Sequence, residues 1–221
     1  MTRKFDPGLI PPKPDLKFEK ALWHAGLSAV AGIDEAGRGC LAGPVTASAV
    51  ILPPREEIPG ILEGVRDSKQ LKPGEREQLR KKIERASLAW AVGWAENKEI
   101  DQLGIAAATR LAIWRALDQL TPSPDHLLVD YLVLPDIPLP QTRLTKGDAR
   151  SLSIAAASIL AKTHRDSWMI EQARAYPEYG FEQNKGYGTA KHRDAIRSRG
   201  ACPLHRMSFT PLREIKNKIE I

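Results

Sequence analysis

The sequence predicts an α/β fold, with helices layered on a mixed β-sheet. Three observations predict it. Apolar runs of strand length come early, at Val30–Asp34, Val45–Leu52 and Leu88–Ala95. Shorter strand-like runs, at His126–Val129 and near Thr142–Leu144, then alternate with helical patterns. A long stretch rich in Ala and Ser, Asp148 to about Ala175, offers a face small enough to lie against a sheet. Consecutive strands followed by alternation suit a layered mixed sheet.

The elements follow in chain order. Residues 1–16 are Pro-rich and charged and read as a loosely held arm. Phe18, Leu22 and Trp23 suit one short helix that docks on the body. The run at Val45–Leu52 is closed by Pro53 and Pro54, and residues 55–72 read as loop. Pro73–Ala86 is a charged helix with proline at its start, where the missing N–H is harmless. Asn97–Leu120 is mostly helical, with Leu111, Trp114 and Leu117 at helical spacing. Beyond Tyr176 the chain is basic and punctuated by Gly and Pro, with helices expected near Thr189–Ser198 and Pro211–Lys218. These features divide the chain into an arm (1–16), a catalytic core (17–175) and a basic extension (176–221).

The formal charge of +6 is uneven. From residue 141 onward there are 15 Lys+Arg against 8 Asp+Glu, or +7, leaving −1 for the rest. A localised basic region is the footprint of a phosphate-backbone binder, and also of an ordinary solvated surface. No apolar run reaches the ~18 residues of a membrane helix, and the N-terminus has no secretory apolar stretch. Cys40 and Cys202 therefore read as free thiols in a reducing cytoplasm.

Chemistry concentrates at Gly32–Gly39 (GIDEAGRG), where an apolar strand ends in two adjacent carboxylates and a Gly-Arg-Gly turn. Alternation along a regular strand keeps Asp34 and Glu35 from pointing the same way, so a bend at the strand end is expected. The next glycine is Gly43, and Pro44 and a strand follow it, so a dinucleotide fingerprint fails on spacing and context. Asp130 ends another strand-like run, where an Asp also starts turns. Asp148 precedes the long helix, where it also suits an N-cap. Four acids at such places suit hard divalent cations, which take oxygen ligands and in pairs support phosphodiester hydrolysis. No cysteine–histidine spacing suggests zinc.

AGIDEAGRGCLAGPV closely resembles the signature of the type 2 ribonucleases H, of the bacterial ribonuclease HII kind. FEKALWHAG (18–26), DSKQL (67–71), LLVD (127–130), KGDARSLSIAAASILAKTHRD (146–166), YPEYGFEQNKGYGTAKHRDAI (176–196) and HRMSF (205–209) match in order. The resemblance implies a ribonuclease H-like fold, a five-stranded mixed sheet flanked by helices with a helical C-terminal extension. It implies that Asp34, Glu35, Asp130 and Asp148 bind two Mg²⁺ or Mn²⁺ ions. Water then attacks 5′ to a ribonucleotide, in an RNA–DNA hybrid or at a single ribonucleotide in duplex DNA, leaving 5′-phosphate and 3′-hydroxyl. Such cleavage belongs to ribonucleotide excision repair.

Gly37, Arg38 and Gly39 map to the reader of the ribose 2′-OH, the group that separates RNA from DNA. Tyr187 maps to the residue beside the ribose at the RNA–DNA junction. Ser68, Lys69, Lys185, His192 and Arg193 map near the substrate backbone. Asp130 is followed by Tyr131 and Leu132 where the family often has glycine. The final KNKIEI does not clearly show a sliding-clamp motif, so such a partner is left open, and a monomer is expected. Two other classes compete: a two-metal nuclease acting on DNA alone, and a non-catalytic basic binding module. Divalent-metal dependence of cleavage and an all-DNA duplex control separate the three.

Overall fold

The computed structural model describes residues 5–214. Five strands form one mixed sheet: β1 (Val30–Ala36), β2 (Val45–Ile51), β3 (Ala89–Ala95), β4 (His126–Asp130) and β5 (Gln141–Leu144), in the order β3-β2-β1-β4-β5. β1, β2 and β3 pair antiparallel as a meander, and β4 and β5 add in parallel beside β1. The helices are α1 (Lys17–His24), the single turn α2 (Ile58–Ile61), α3 (Pro73–Ala86), α4 (Asn97–Leu103), α5 (Ile105–Leu117), α6 (Leu152–Gln172), the single turn α7 (Phe181–Asn184) and α8 (Ala190–Arg199).

Two-residue alternation sorts the sheet into two cores. Ala31 and Ile33 of β1, with Val45, Ala47, Ala49 and Ile51 of β2, pack against Ala108, Ala112, Ile113 and Ala116 of α5. On the other face Val50 joins Leu79 and Ile83 of α3 and Leu152, Ala155, Ala156 and Ile159 of α6. The small face of α6 does lie close: a Cβ on Gly32 of β1 would stand 2.3 Å from the Ser153 backbone. Only glycine at that strand position admits the helix so near to the acids that follow it.

The structure corrects several expected boundaries. The long helix starts at Leu152, four residues after Asp148, because Ser151 takes the N-cap and accepts from Ile154 N–H at 3.2 Å. Gly147–Ala149 forms a separate 3₁₀ turn. The expected helix over 97–120 is broken at Gly104, whose φ of 76° cannot continue a helix. The arm is not loose at its end: Leu16 is buried, and Leu152 N–H donates to Asp15 O at 2.8 Å. Of the helix expected over Pro211–Lys218, Leu212–Glu214 is helical and the remainder lies outside the described residues.

Helix α1 docks as expected, through a buried carboxylate. Glu19 Oε1 accepts from Ser151 Oγ (2.6 Å), Ser153 Oγ (2.6 Å) and Ser153 N–H (3.0 Å). A carboxylate at a helix N-terminus meets unpaired N–H groups and the positive end of the dipole. At the far end of α6, Met169 and Ala173 share a core with Tyr179, Phe181, Ile196, Cys202 and Leu212. Leu41 and Ala42, just past the Gly-Arg-Gly turn, belong to the same core. Cys40 and Cys202 are free and buried.

Candidate active site

β1 does not bend before its two acids. It pairs with β2 through Ala36↔Thr46, so Asp34 and Glu35 lie within the regular strand. The parallel partner stops earlier, at Ile33↔Val129, and this frees the β4 side of β1 at the acids. One cleft then takes in both residues. Of about 210 Å³, it is lined by Asp34, Glu35, the Gly37–Gly39 turn, Ser68, Lys69, Ser158, Lys162 and Tyr187.

Asp130 ends β4, and its Oδ1 accepts from Gly147 N–H at 2.7 Å. This bond ties it to the 3₁₀ turn that carries Asp148. A Cβ on Gly147 would meet Asp130 Oδ1 at 3.1 Å and Ile154 Cδ1 at 2.8 Å, so glycine permits the approach. Tyr131 sits at φ 57°, the left-handed conformation that favours glycine. Asp34 and Asp148 are buried.

Burial, first, and mutual repulsion, second, raise these acids. Asp34 is held well above the usual carboxylate range by burial, then by Glu35, Asp130 and Asp148; the Glu35 N–H bond to its Oδ1 (2.8 Å) works the other way. Burial also raises Glu35, against the pull of Arg38, whose Nη1 lies 3.0 Å from Oε1. Asp130 and Asp148 are raised by burial, with added repulsion from Glu35 on the first and from Asp130 on the second. Burial alone lowers Lys69, but Asp67, Asp34, Asp148 and Asp130 outweigh it, so its ammonium is raised. Lys69 is thus the counter-ion of the cluster.

Among the described residues, no three such side chains stand close enough to hold an ion in their present positions. The donor set is nevertheless all carboxylate oxygen, gathered where β1, β4 and the Gly147–Ala149 turn meet. It fits a hard divalent cation, and a cation supplies the charge the site lacks.

The turn is built for close approach. Gly37 has φ 90°, and a Cβ on it would stand 2.0 Å from Arg165 Nε. Gly39 faces open space, with nothing within 4 Å of a Cβ built there. Arg165, fully buried, donates to Pro44 O (2.8 Å), Ala42 O (3.0 Å) and Lys185 O (2.8 Å). Arg206, also buried, donates to Gly43 O and Arg38 O, each at 2.9 Å. Together they tie the turn and the loop after it to the segment bearing Tyr187. The Tyr187 ring is partly exposed at 39% and lies 5.0 Å from Lys162 Nζ. Burial, then Cys40, pushes its phenol up to about 12.

The remaining expected contacts fare unequally. Lys69 lines the cleft, Arg193 is exposed on α8, and Lys185 joins Arg76, Asp166 and Tyr187 around an adjoining groove. Ser68 lines the cleft but is buried, accepting from Ser158 Oγ at 2.8 Å. His192 is corrected: it is 0% exposed, with both ring nitrogens bonded inside the protein, so it cannot touch a substrate backbone. Lys162, Ser158, Arg165 and Arg206 were not foreseen. The i, i+4 spacing of Ser158, Lys162 and Asp166 on one face of α6 is the signal that could have found the first two.

The ribonuclease HII family model matches residues 31–212. A ribonuclease HII from Dehalococcoides mccartyi is 52% identical over 202 residues, covering 91% of this chain and 95% of that one. The crystal structure of the ribonuclease H2 from Pyrococcus horikoshii OT3 superposes with a TM-score of 0.69 at 28% identity, covering 86% of this chain and 98% of the other. An Archaeoglobus fulgidus ribonuclease HII, solved in complex with PCNA, does so with a TM-score of 0.69 at 26% identity, covering 82% and 95%.

Proposed function

The chain belongs to the ribonuclease HII family and is a ribonuclease H endonuclease, and from that premise we propose that it cuts 5′ to ribonucleotides, in RNA–DNA hybrids and at single ribonucleotides in duplex DNA. The observation that carries this reading is the shared cleft, in which Asp34 and Glu35 adjoin the Gly37–Gly39 turn and Tyr187. A sugar reader beside the reacting phosphate is what a cut next to one ribonucleotide requires.

Asp34, Glu35, Asp130 and Asp148 are the residues that would hold Mg²⁺ or Mn²⁺, and a pair of such ions would supply water activation and charge stabilisation at the leaving oxygen. The products would carry 5′-phosphate and 3′-hydroxyl. Lys69 balances the acids and meets the substrate backbone with Ser68 at its side. Backbone groups of the turn bond the 2′-OH, with Gly39 leaving open room for the sugar. Arg38, held by Glu35, stands between metal site and sugar. Tyr187 stacks beside the ribose at the junction, with Lys162 above its ring. Lys185 and Arg193 follow the phosphates on the basic extension (176–221).

The tethered turn argues against an enzyme for DNA alone, which needs no hydroxyl reader. Four clustered acids argue against a mere binding module, since their negative charge would weaken phosphate binding for no gain. Among the described residues no helix is long and apolar enough to cross a membrane. A reducing cytoplasm suits the substrate and the free cysteines. The C-terminal KNKIEI, the segment that bears on a sliding-clamp partner, lies outside the described residues.

The test is digestion of a duplex carrying one ribonucleotide, with and without divalent metal, and with an all-DNA control. A metal-dependent cut mapped 5′ to the ribonucleotide is expected, with rejection of DNA by ~10⁴ as in hydroxyl-reading sites. Cutting of the all-DNA duplex at a similar rate removes the reading. Tyr187→Ala is expected to impair the single-ribonucleotide reaction more than cutting of a long hybrid.

A further inference from the structure

His192 on α8 and His205 are both buried, at 0% and 1% exposure, and face each other Nε2 to Nε2 at 3.1 Å. His192 Nδ1 lies 2.9 Å from Tyr187 O, and His205 Nδ1 lies 2.9 Å from Cys202 N. His205 Nδ1 also lies 3.2 Å from Cys202 O, but the Cys202 N–H is aimed at the same nitrogen from 2.9 Å and would clash with a proton there. One arrangement of protons therefore satisfies the three shorter contacts. A carbonyl only accepts, so His192 carries its proton on Nδ1 and donates to Tyr187 O. Neutral His192 then offers a lone pair at Nε2, so His205 must donate from its own Nε2. Neutral His205 is left with a lone pair at Nδ1, and this accepts from Cys202 N–H.

The contacts therefore form one directed chain, from Cys202 N–H through His205 and His192 to Tyr187 O. The rings are walled by Tyr179 and Phe181, with centroids 4.9 to 6.4 Å from the imidazoles. His205 also bridges Ala42, in the loop after the Gly-Arg-Gly turn. Thr189 N–H donates to the same Tyr187 O at 2.8 Å, so both lone pairs of that carbonyl are used.

We propose that His205 and His192 are positioning residues for ribonucleotide recognition: a two-histidine relay that fixes the Tyr187 main chain, and thereby its ring, relative to the sugar-reading turn. The inference rests on the reading of Tyr187 as the junction reader. Neither histidine touches substrate. The segment before Tyr187 is already tied to the loop after the turn, by Leu41 N–H to Gly186 O at 2.8 Å and by the Arg165 bond to Lys185 O; the relay adds the anchor at Tyr187 itself and sets how the residue leaves that loop.

The experiment uses the two amide replacements of His205. Gln places an N–H₂ where Nε2 sits and still donates to His192. Asn places its amide where Nδ1 sits and still meets Cys202 N–H, but does not reach His192. kcat/KM is measured for His205→Gln, His205→Asn, Tyr187→Ala and wild type, on a single-ribonucleotide duplex and on a long RNA–DNA hybrid. His205→Asn is expected to lose roughly 10- to 100-fold on the single ribonucleotide, the scale of a small misplacement, with a much smaller loss on the hybrid. His205→Gln is expected to retain most of the activity. A role confined to supporting Cys202 predicts the reverse order, and that order, or equal effects of Asn and Gln, overturns the proposal.

If Tyr187→Ala lowers both substrates equally, the junction reading of Tyr187 falls. The relay is then decided by the imidazole N–H signals of the wild-type protein in nitrogen-15 NMR, which also decide it if a variant fails to fold. His192 protonated at Nδ1 and His205 at Nε2 support the relay. Any other tautomer pair overturns it.

Discussion

Two buried charged regions lie side by side in this enzyme and are built on opposite plans. The acids at the β1 end are buried or half-buried yet under-compensated, each raised by burial and most by one another. A few residues away, Arg165 and Arg206 are buried cations with no acid in the bonds they make, yet between them they donate to five backbone carbonyls. His192 and His205 are likewise buried, and neutral in a closed chain of bonds. Burying a charge is expensive unless it is bonded. The cationic region meets most of that requirement from its own backbone and becomes a frame, although Arg206 Nη2 is left without a partner and burial lowers that guanidinium to about 10. The acidic region leaves it unmet, which is the condition a bound cation would relieve on the function proposed above.

The largest expected effect falls on the acids. Asp34→Asn, Glu35→Gln and Asp130→Asn should each reduce Mg²⁺-supported cleavage by roughly 10³-fold or more, the range seen when a group stabilising transition-state charge is lost. Duplex binding should survive, as a gel-shift titration would show. Asp148→Asn should be milder, since Asp148 lies on the 3₁₀ turn rather than on the strand. Wild-type turnover in Asp34→Asn refutes the metal assignment.

The same acids should respond to metal without substrate. A ligand that binds only the folded state stabilises by about 2.7 kcal/mol at a hundredfold excess over Kd. Thermal unfolding of the wild type should shift upward by several degrees with Mg²⁺, and that of Asp34→Asn far less. Asp34→Asn should itself melt higher than wild type in chelator, because it removes a buried, repelled charge. A lower melting point without metal means that the acids are not under-compensated, and the contrast between the two regions collapses.

Glycine substitutions sharpen the contrast within the turn. Gly37→Ala drives a Cβ into Arg165 from a backbone at φ 90°. Overpacking and left-handed strain each cost about 1–3 kcal/mol, so the protein should lose several degrees of Tm together with activity. Gly39→Ala meets no protein atom within 4 Å. It should leave Tm near wild type while lowering cleavage at a single ribonucleotide. Equal losses of stability at the two positions show that the frame does not discriminate between them.

What was legible in the sequence divides along the same line. Asp34, Glu35 and Asp130 announce themselves because a carboxylate ending an apolar strand is a local pattern. The strand at Val45–Leu52 was legible as an apolar run closed by Pro53 and Pro54, and the small face of α6 from its Ala and Ser content. The frame was not. Arg165 bonds Pro44 and Ala42, more than 120 positions away, and Arg206 bonds Gly43 at 163. No local pattern marks a cation whose partners are distant carbonyls. His192 was misassigned for a related reason: in KHRDAI it looks like part of a basic surface, and only the packing of Tyr179 and Phe181 turns it inward. Asp148 resembled an N-cap because any Asp before a helix does, and here Ser151 holds that place.

The two regions should also answer pH with opposite signs. A carboxyl whose folded pKa is raised binds more protons folded than unfolded, so lowering pH from neutral relieves it and adds stability. Asp34 is such a group. A histidine whose folded pKa is lowered binds fewer protons folded, so its contribution is complete above about 6.5, the unfolded value, and is lost as pH falls. Burial first, then His192, takes His205 down to about 4, and burial lowers His192. The other titratable groups against the pair are Tyr179 and Cys202, both raised by burial and neutral throughout this window, while Arg206 stays cationic. Between pH 7 and pH 5 the His205 shift corresponds to about 2 kcal/mol of lost stability. Urea unfolding in chelator at the two pH values should therefore show His205→Gln losing less on acidification than wild type, by up to that amount. Asp34→Asn should lose more than wild type, because it lacks the group that acid relieves. If both variants shift in the same direction, the acids and the histidines are not compensated in opposite ways, and the division of this enzyme into an incomplete site and a self-sufficient frame fails.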